Sequence, residues 1–70
     1  MTERAKIKAN GESYEVEAGC SLESFLDQLG LKLDMVVVEY NGQAHTRKQA
    51  RSIQLVDGDV LEIIRIVAGG

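Results

Sequence analysis

The stretch Val60-Leu61-Glu62-Ile63-Ile64-Arg65-Ile66-Val67-Ala68-Gly69-Gly70 decides how the rest of the chain is read. Its front half is dense in β-branched residues, which pack well on a pleated surface and lose rotamer freedom in a helix, so it predicts a strand. Glu62 sets the parity of that strand. With its carboxylate in water, Leu61 and Ile63 face inward, and Ile64 and Ile66 share the side of Glu62. Val67 is the last bulky residue; Ala68, Gly69 and Gly70 offer no side chain that can pack, which predicts an anchored strand followed by a free end. Two readings of that end stand. It is a frayed terminus, or it is a carboxylate that a partner enzyme reaches down a channel too narrow for side chains. In the second reading, activation with a nucleotide makes the Gly70 carbonyl carbon an electrophile, open to a sulfur or amine nucleophile.

Upstream of this strand, Asp57-Gly58-Asp59 predicts a tight turn that delivers the chain to it. Ile53, Leu55 and Val56 are placed at the core edge, and residues 46–52, carrying Arg47, Lys48 and Arg51, form a polar connection with room for one helical turn. Met35-Val36-Val37-Val38-Glu39-Tyr40 is too apolar for simple alternation, and here Glu39 sets the parity: Val36, Val38 and Tyr40 inward, Met35 and Val37 outward. Asn41-Gly42 predicts a turn, with Gln43-Ala44-His45 as a brief return strand. At the other end of the chain, Ala5-Lys6-Ile7-Lys8-Ala9 and Ser13-Tyr14-Glu15-Val16-Glu17 alternate on either side of Asn10-Gly11, the pattern of an antiparallel hairpin with Ile7, Tyr14 and Val16 inward.

Between hairpin and third strand, Leu22, Phe25, Leu26 and Leu29 fall on one helix face. Ser21 is the expected N-cap, Glu23 adds negative charge near the positive end, and Ser24 leaves the capping box incomplete. Gly30 is the natural stop, giving a helix of about nine residues, short enough to need the sheet for support. The order strand, strand, helix, strand, short segment, strand is most simply closed as an α+β mixed sheet of four to five strands. Its first and last strands lie centrally and parallel, and the helix packs on one face: the β-grasp arrangement. The expected division is a β-grasp domain over 1–67 and a flexible tail over 68–70. Val37, Ile64 and Ile66 then lie on the sheet face away from the helix, an apolar patch that a partner would cover; a bulge or inverted register would instead make them core.

Composition narrows the classes. Seventy residues make one domain, able to bury only about 60% of the unfolded chain's surface. One cysteine rules out an internal disulfide, and the start of the chain lacks an apolar signal region, so a cytoplasmic protein is expected. No run approaches the roughly 20 apolar residues of a membrane span. Eight Lys and Arg against eleven Asp and Glu give a net charge of −3, which argues against a nucleic-acid partner.

Taken together, the Asn-Gly hairpin, Gly19-Cys20-Ser21-Leu22 opening a Leu-rich helix, Asn41-Gly42 after an apolar strand, Asp57-Gly58-Asp59 before the last strand and the terminal Ala68-Gly69-Gly70 resemble the ThiS-like sulfur carriers of the ubiquitin-like superfamily. The resemblance runs over essentially the whole chain, and its most specific part is the apolar strand ending in Gly-Gly. It implies a carrier and not an enzyme. An adenylyltransferase of the ubiquitin-activating type would use ATP to adenylate Gly70, with Gly69 and Ala68 as the tail. A cysteine desulfurase system would supply sulfur for a thiocarboxylate, and thiazole synthase would accept it in thiamine biosynthesis. The docking face would include Val37, Ile64 and Ile66, with no cofactor bound and a monomer when free. Molybdopterin carriers of the superfamily tend to be longer, with a proline or aromatic shortly before the glycines; Ile66-Val67-Ala68 has neither.

Other candidates are weaker. Cys20 beside a helix start lacks a nearby basic partner in sequence, His45 lacks a metal-spaced companion, and Asp57 and Asp59 serve a turn. Arg47, Lys48 and Arg51 are either a solvated face or a docking rim. No metal site and no phosphate loop is expected. Besides the sulfur carrier, a protein modifier joined through Gly70 to a lysine and a plain interaction domain with incidental glycines remain as alternatives.

Overall fold

Asn10 and Gly11 adopt left-handed backbone angles, φ 52° and 82°, and so close the first hairpin with the backbone twist that flanking strands require. The computed structural model describes residues 3–66. In chain order it forms β1 (Arg4–Ala9), β2 (Glu12–Glu17), α1 (Leu22–Gln28), a 3₁₀ turn (Leu33–Met35), β3 (Val36–Tyr40), β4 (Gln43–His45), α2 (Arg47–Arg51) and β5 (Val60–Arg65). The sheet has five strands in the order β2-β1-β5-β3-β4. β1 and β5 are parallel, and the other neighbours are antiparallel. This is the mixed β-grasp sheet with its first and last strands in the middle. The expected boundary between a domain over 1–67 and a tail over 68–70 lies outside the described residues.

The parities set by the two glutamates hold. Ile7, Val16, Val36, Val38, Leu61 and Ile63 are buried with Leu22, Phe25 and Leu26 of α1, while Tyr14 and Tyr40 pack at the core's margin. Phe25 meets Tyr14 edge to face at 5.2 Å, pinning α1 to the first hairpin.

Helix α1 is seven residues long, shorter than its apolar spacing suggests. Ser21 caps it as expected, accepting from the Ser24 backbone at 3.0 Å. At the other end Leu31 N donates to Leu26 O and Gly30 N to Asp27 O, with Gly30 at φ 76°, the paired bonds of a Schellman stop. That stop makes Leu29 the C-cap and turns it out to water, so Leu31, not Leu29, completes the apolar face. Val56 also departs from expectation: it is exposed, because the chain has already begun to turn toward Gly58. Residues 46–52 hold α2, started by a full capping box in which Thr46 and Gln49 satisfy each other's backbone amides.

Two side chains extend the central parallel pair beyond its backbone register, Lys8↔Val60 and Ala9↔Leu61. On one side, Asp57 accepts from Lys6 N at 2.7 Å while Gly58 N donates to Lys6 O. On the other, β1 turns away at Asn10, and the Asn10 amide takes the place of a strand: Nδ2 donates to Ile63 O (3.1 Å) and Oδ1 accepts from Ile63 N (2.7 Å). Asp59 then ties the β3–β4 turn to the start of β5. It is 5% exposed and accepts from Tyr40 Oη, Val56 N and Asn41 Nδ2. Every donor it meets is one that water would otherwise have to supply.

Asn10→Gly keeps the positive φ and removes the amide with its Cβ, so it should lower unfolding free energy by about 1–3 kcal/mol through the two orphaned Ile63 groups. Asn10→Ala should lower it further, because a Cβ at that φ adds strain; urea denaturation reads both, and an unchanged Asn10→Gly would contradict the role. Burial, then the hydrogen bond to Asp59 and its charge, push the Tyr40 hydroxyl above its ordinary range. The folded chain therefore holds this proton more tightly than the unfolded one. Its contribution is complete below about pH 10, the unfolded value, and is lost as pH rises through the folded value. Urea midpoints across this alkaline window should fall more steeply for the parent than for Tyr40→Phe.

Candidate functional site

The face of the sheet turned away from α1 is organised by β5. Ile63 directs its backbone groups to Asn10, so those of Glu62 and Ile64 face β3. The register across this pair is Glu39↔Glu62 and Val37↔Ile64. Ile66 N donates to Met35 O at 2.9 Å, continuing the ladder one rung further. The outer face therefore presents two opposed carboxylates, then Val37 beside Ile64, and past the strand ends Met35 beside Ile66, which border Gly30, Leu31 and Arg65 near the end of α1.

The two apolar rungs are open to solvent. Val37 is 41% exposed, Ile64 53%, Ile66 52% and Met35 56%. These residues form a run of exposed aliphatic surface beside strands whose opposite faces bury Val36, Val38, Leu61 and Ile63. Val37, Ile64 and Ile66, expected outside the core, are exposed, and Val37 stands directly opposite Ile64. Met35 joins them; its signal in the sequence was its parity with Val37. Ala68, Gly69 and Gly70, named from the sequence as the tail and the modified end, lie outside the described residues.

The remaining chemistry-bearing side chains are accounted for by structure. Cys20 is half-buried, and burial together with the Glu17 carboxylate pushes its thiol up, away from the thiolate that a nucleophile needs. His45 Nδ1 lies 2.8 Å from Gln43 O, and its ring stands edge-on to Tyr40. Asp57 and Asp59 are committed to backbone and turn donors. Arg47 and Arg51 border an open, mixed-charge groove with Glu23, Asp27, Lys32 and Asp34 on the helical side. Among the described residues no group of three or more His, Cys, Asp or Glu could hold a metal ion. No helix among them is long and apolar enough to cross a membrane.

Comparison with known proteins agrees with this geometry. The model of the ThiS family matches residues 3–70. The Sulfur carrier protein ThiS of Thermus thermophilus is 34% identical over 61 residues, covering 87% of this chain and 94% of that protein. A Thiazole synthase of Magnetococcus marinus is 35% identical over 65 residues, 93% of this chain. The chain spans only 20% of that synthase's length, and the same share of a second thiazole synthase, from Paramagnetospirillum magneticum. Among solved structures, the crystal structure of thiamine biosynthesis protein ThiS from Geobacter metallireducens superposes with a TM-score of 0.76 at 25% identity, over 93% of this chain and 99% of that one. A match along nearly the whole length, on a mixed sheet with β1 and β5 parallel at its centre, places the sequence without ambiguity: this chain belongs to the ThiS family.

Proposed function

We propose that this chain is the sulfur carrier of a thiazole-forming system, acting as a protein co-substrate whose Gly70 carboxylate is the reacting group. One observation carries the reading: β5, the central strand of a ThiS-family sheet, runs its exposed apolar rungs directly toward the Gly-Gly end of the sequence. A partner seated on Met35, Val37, Ile64 and Ile66 lies beside Ile66, four residues before Gly70 in the sequence. It can therefore receive the residues that follow in an extended form.

The chemistry divides into two steps on a partner adenylyltransferase of the ubiquitin-activating type. A Gly70 carboxylate oxygen attacks the α-phosphorus of ATP, a P–O bond breaks and pyrophosphate leaves, giving an acyl adenylate. Hydrosulfide, released by a thiol reductant from the persulfide that a cysteine desulfurase system forms, then attacks the carbonyl carbon; AMP leaves with the bonding pair, a proton is released, and a thiocarboxylate remains. Glycine at 69 and 70 suits both steps, because an end without side chains admits close approach from either face of the carbonyl. The scaffold supplies no catalytic group to either step. It presents the carboxylate and the surface by which partners hold it. The likeness of this chain to part of proteins named thiazole synthase supports thiazole synthase as the acceptor.

Intact-mass spectrometry of the chain incubated with ATP, the activating enzyme and a sulfide source should show one oxygen replaced by sulfur at Gly70, and no such product from a chain lacking Gly70. An isopeptide adduct on a lysine would instead make it a protein modifier, and an unchanged mass would leave only an interaction domain. Val37→Thr combined with Ile64→Thr keeps β-branched residues on the exposed face, so stability should stay within about 1 kcal/mol of the parent. Formation of the thiocarboxylate should nonetheless slow by about tenfold or more as apolar contact is lost; rates equal to the parent's would remove this face from the docking surface.

A further inference from the structure

Charged neighbours on the outer face of the sheet follow two opposite rules. Between β1 and β2 the rungs are matched by sign, Arg4↔Glu17 and Lys6↔Glu15, as a free-standing sheet favours. Between β3 and β5, at the centre of the sheet, Glu39 stands directly opposite Glu62. Directly opposed residues hold their Cβ atoms about 4.5–5.5 Å apart, where like charges oppose folding. Glu39 is half-buried and Glu62 exposed, and the next rung is Val37 beside Ile64. An acidic rung against two apolar rungs is a surface with a direction built into it.

We propose that Glu39 and Glu62 form the cation-binding rung of the docking face, engaged by an arginine of the partner whose apolar side chains cover Val37, Ile64, Met35 and Ile66. This rests on the carrier reading above. A guanidinium is planar, carries several donors and can bridge two carboxylates, which neither carboxylate can do for the other. Covering the adjacent apolar rungs excludes water beside the charges and strengthens the contact. The chain's net charge of −3 favours the same sign of partner. Because the acidic rung lies at one end of the patch and Ile66 at the other, a cation placed there fixes which way the partner lies and so where residues 67–70 are delivered. A second copy of this chain fits poorly, since it would bring its own acidic rung to the same place.

The test is steady-state adenylation of the full chain by the activating enzyme, read as pyrophosphate release, for the parent, Glu39→Gln with Glu62→Gln, Glu62→Lys and the control Glu15→Gln. The double glutamine variant should raise KM for the chain about tenfold with kcat within about twofold, as expected when an orienting charge contact is lost. The gap should shrink between about 0.05 and about 0.5 M salt. Glu62→Lys, which places opposite charges on the rung, should raise KM further. Both rung variants should melt at or above the parent's temperature, so that lost docking is not lost folding. A double glutamine variant with the parent's KM, a Glu15→Gln effect of equal size, or micromolar self-association abolished by the glutamines would overturn the proposal. If the parent chain itself is never adenylated, the carrier reading fails and this inference falls with it; if the parent is adenylated and the rung changes are silent, only the inference fails.

Discussion

The parallel contact between β1 and β5 is the constraint on which the remainder of the structure depends. It brings the two ends of the described chain together at the middle of the sheet, yet its backbone register is only Lys8↔Val60 and Ala9↔Leu61. So short a parallel ladder would leave the Ile63 backbone groups without a partner where β1 turns off. The Asn10 amide supplies both missing bonds, acting as one further residue of strand. At the opposite end the Asp57 carboxylate and Gly58 amide hold Lys6 in the same manner. Polar side chains thus complete a central pairing that backbone alone does not.

Everything on the outer face follows from that placement. With β5 held by β1 on one edge, its other edge is free to run a continuous antiparallel ladder with β3 as far as Ile66. The ladder puts alternate residues of both strands on one surface. The inner alternates join Phe25, Leu22 and Leu26 in the core, and the outer ones are exposed or, at Glu39, half-buried. A larger protein would cover that face with a second layer. Among the described residues the helices cover one face, and the other presents aliphatic surface without opening the core.

The Asp59 cluster serves the same end. Tyr40, Asn41 and Val56 converge on one buried carboxylate, joining the turn after β3 to the turn before β5. The Asn41 side chain also accepts from Val60 N, so the start of β5 is fixed against the end of β3 as well as against β1. A fixed start to β5 keeps the rungs of its far half in register, and register is what separates an exposed face from a core face.

What the sequence determined by itself was local and periodic. Alternation around Glu39 and Glu62 was enough to send Val37, Ile64 and Ile66 outward, because a strand's side chains change face at every residue whatever the strand packs against. The Asn-Gly and Asp-Gly-Asp turns and the Ser21 cap were legible for the same reason. The Thr46 and Gln49 capping box was equally written there, and it starts the helical turn expected in that polar connection. Leu29 and Val56 misled because apolar spacing does not say where a helix or strand ends; hydrogen bonds made by the following residues do. Tertiary structure alone decided that Asn10 meets Ile63, 53 residues away, and that Glu39 faces Glu62 and not a residue one place along. Such pairings are set by how strands from distant parts of the chain slide together to bury one common core, and no short-range pattern carries that offset.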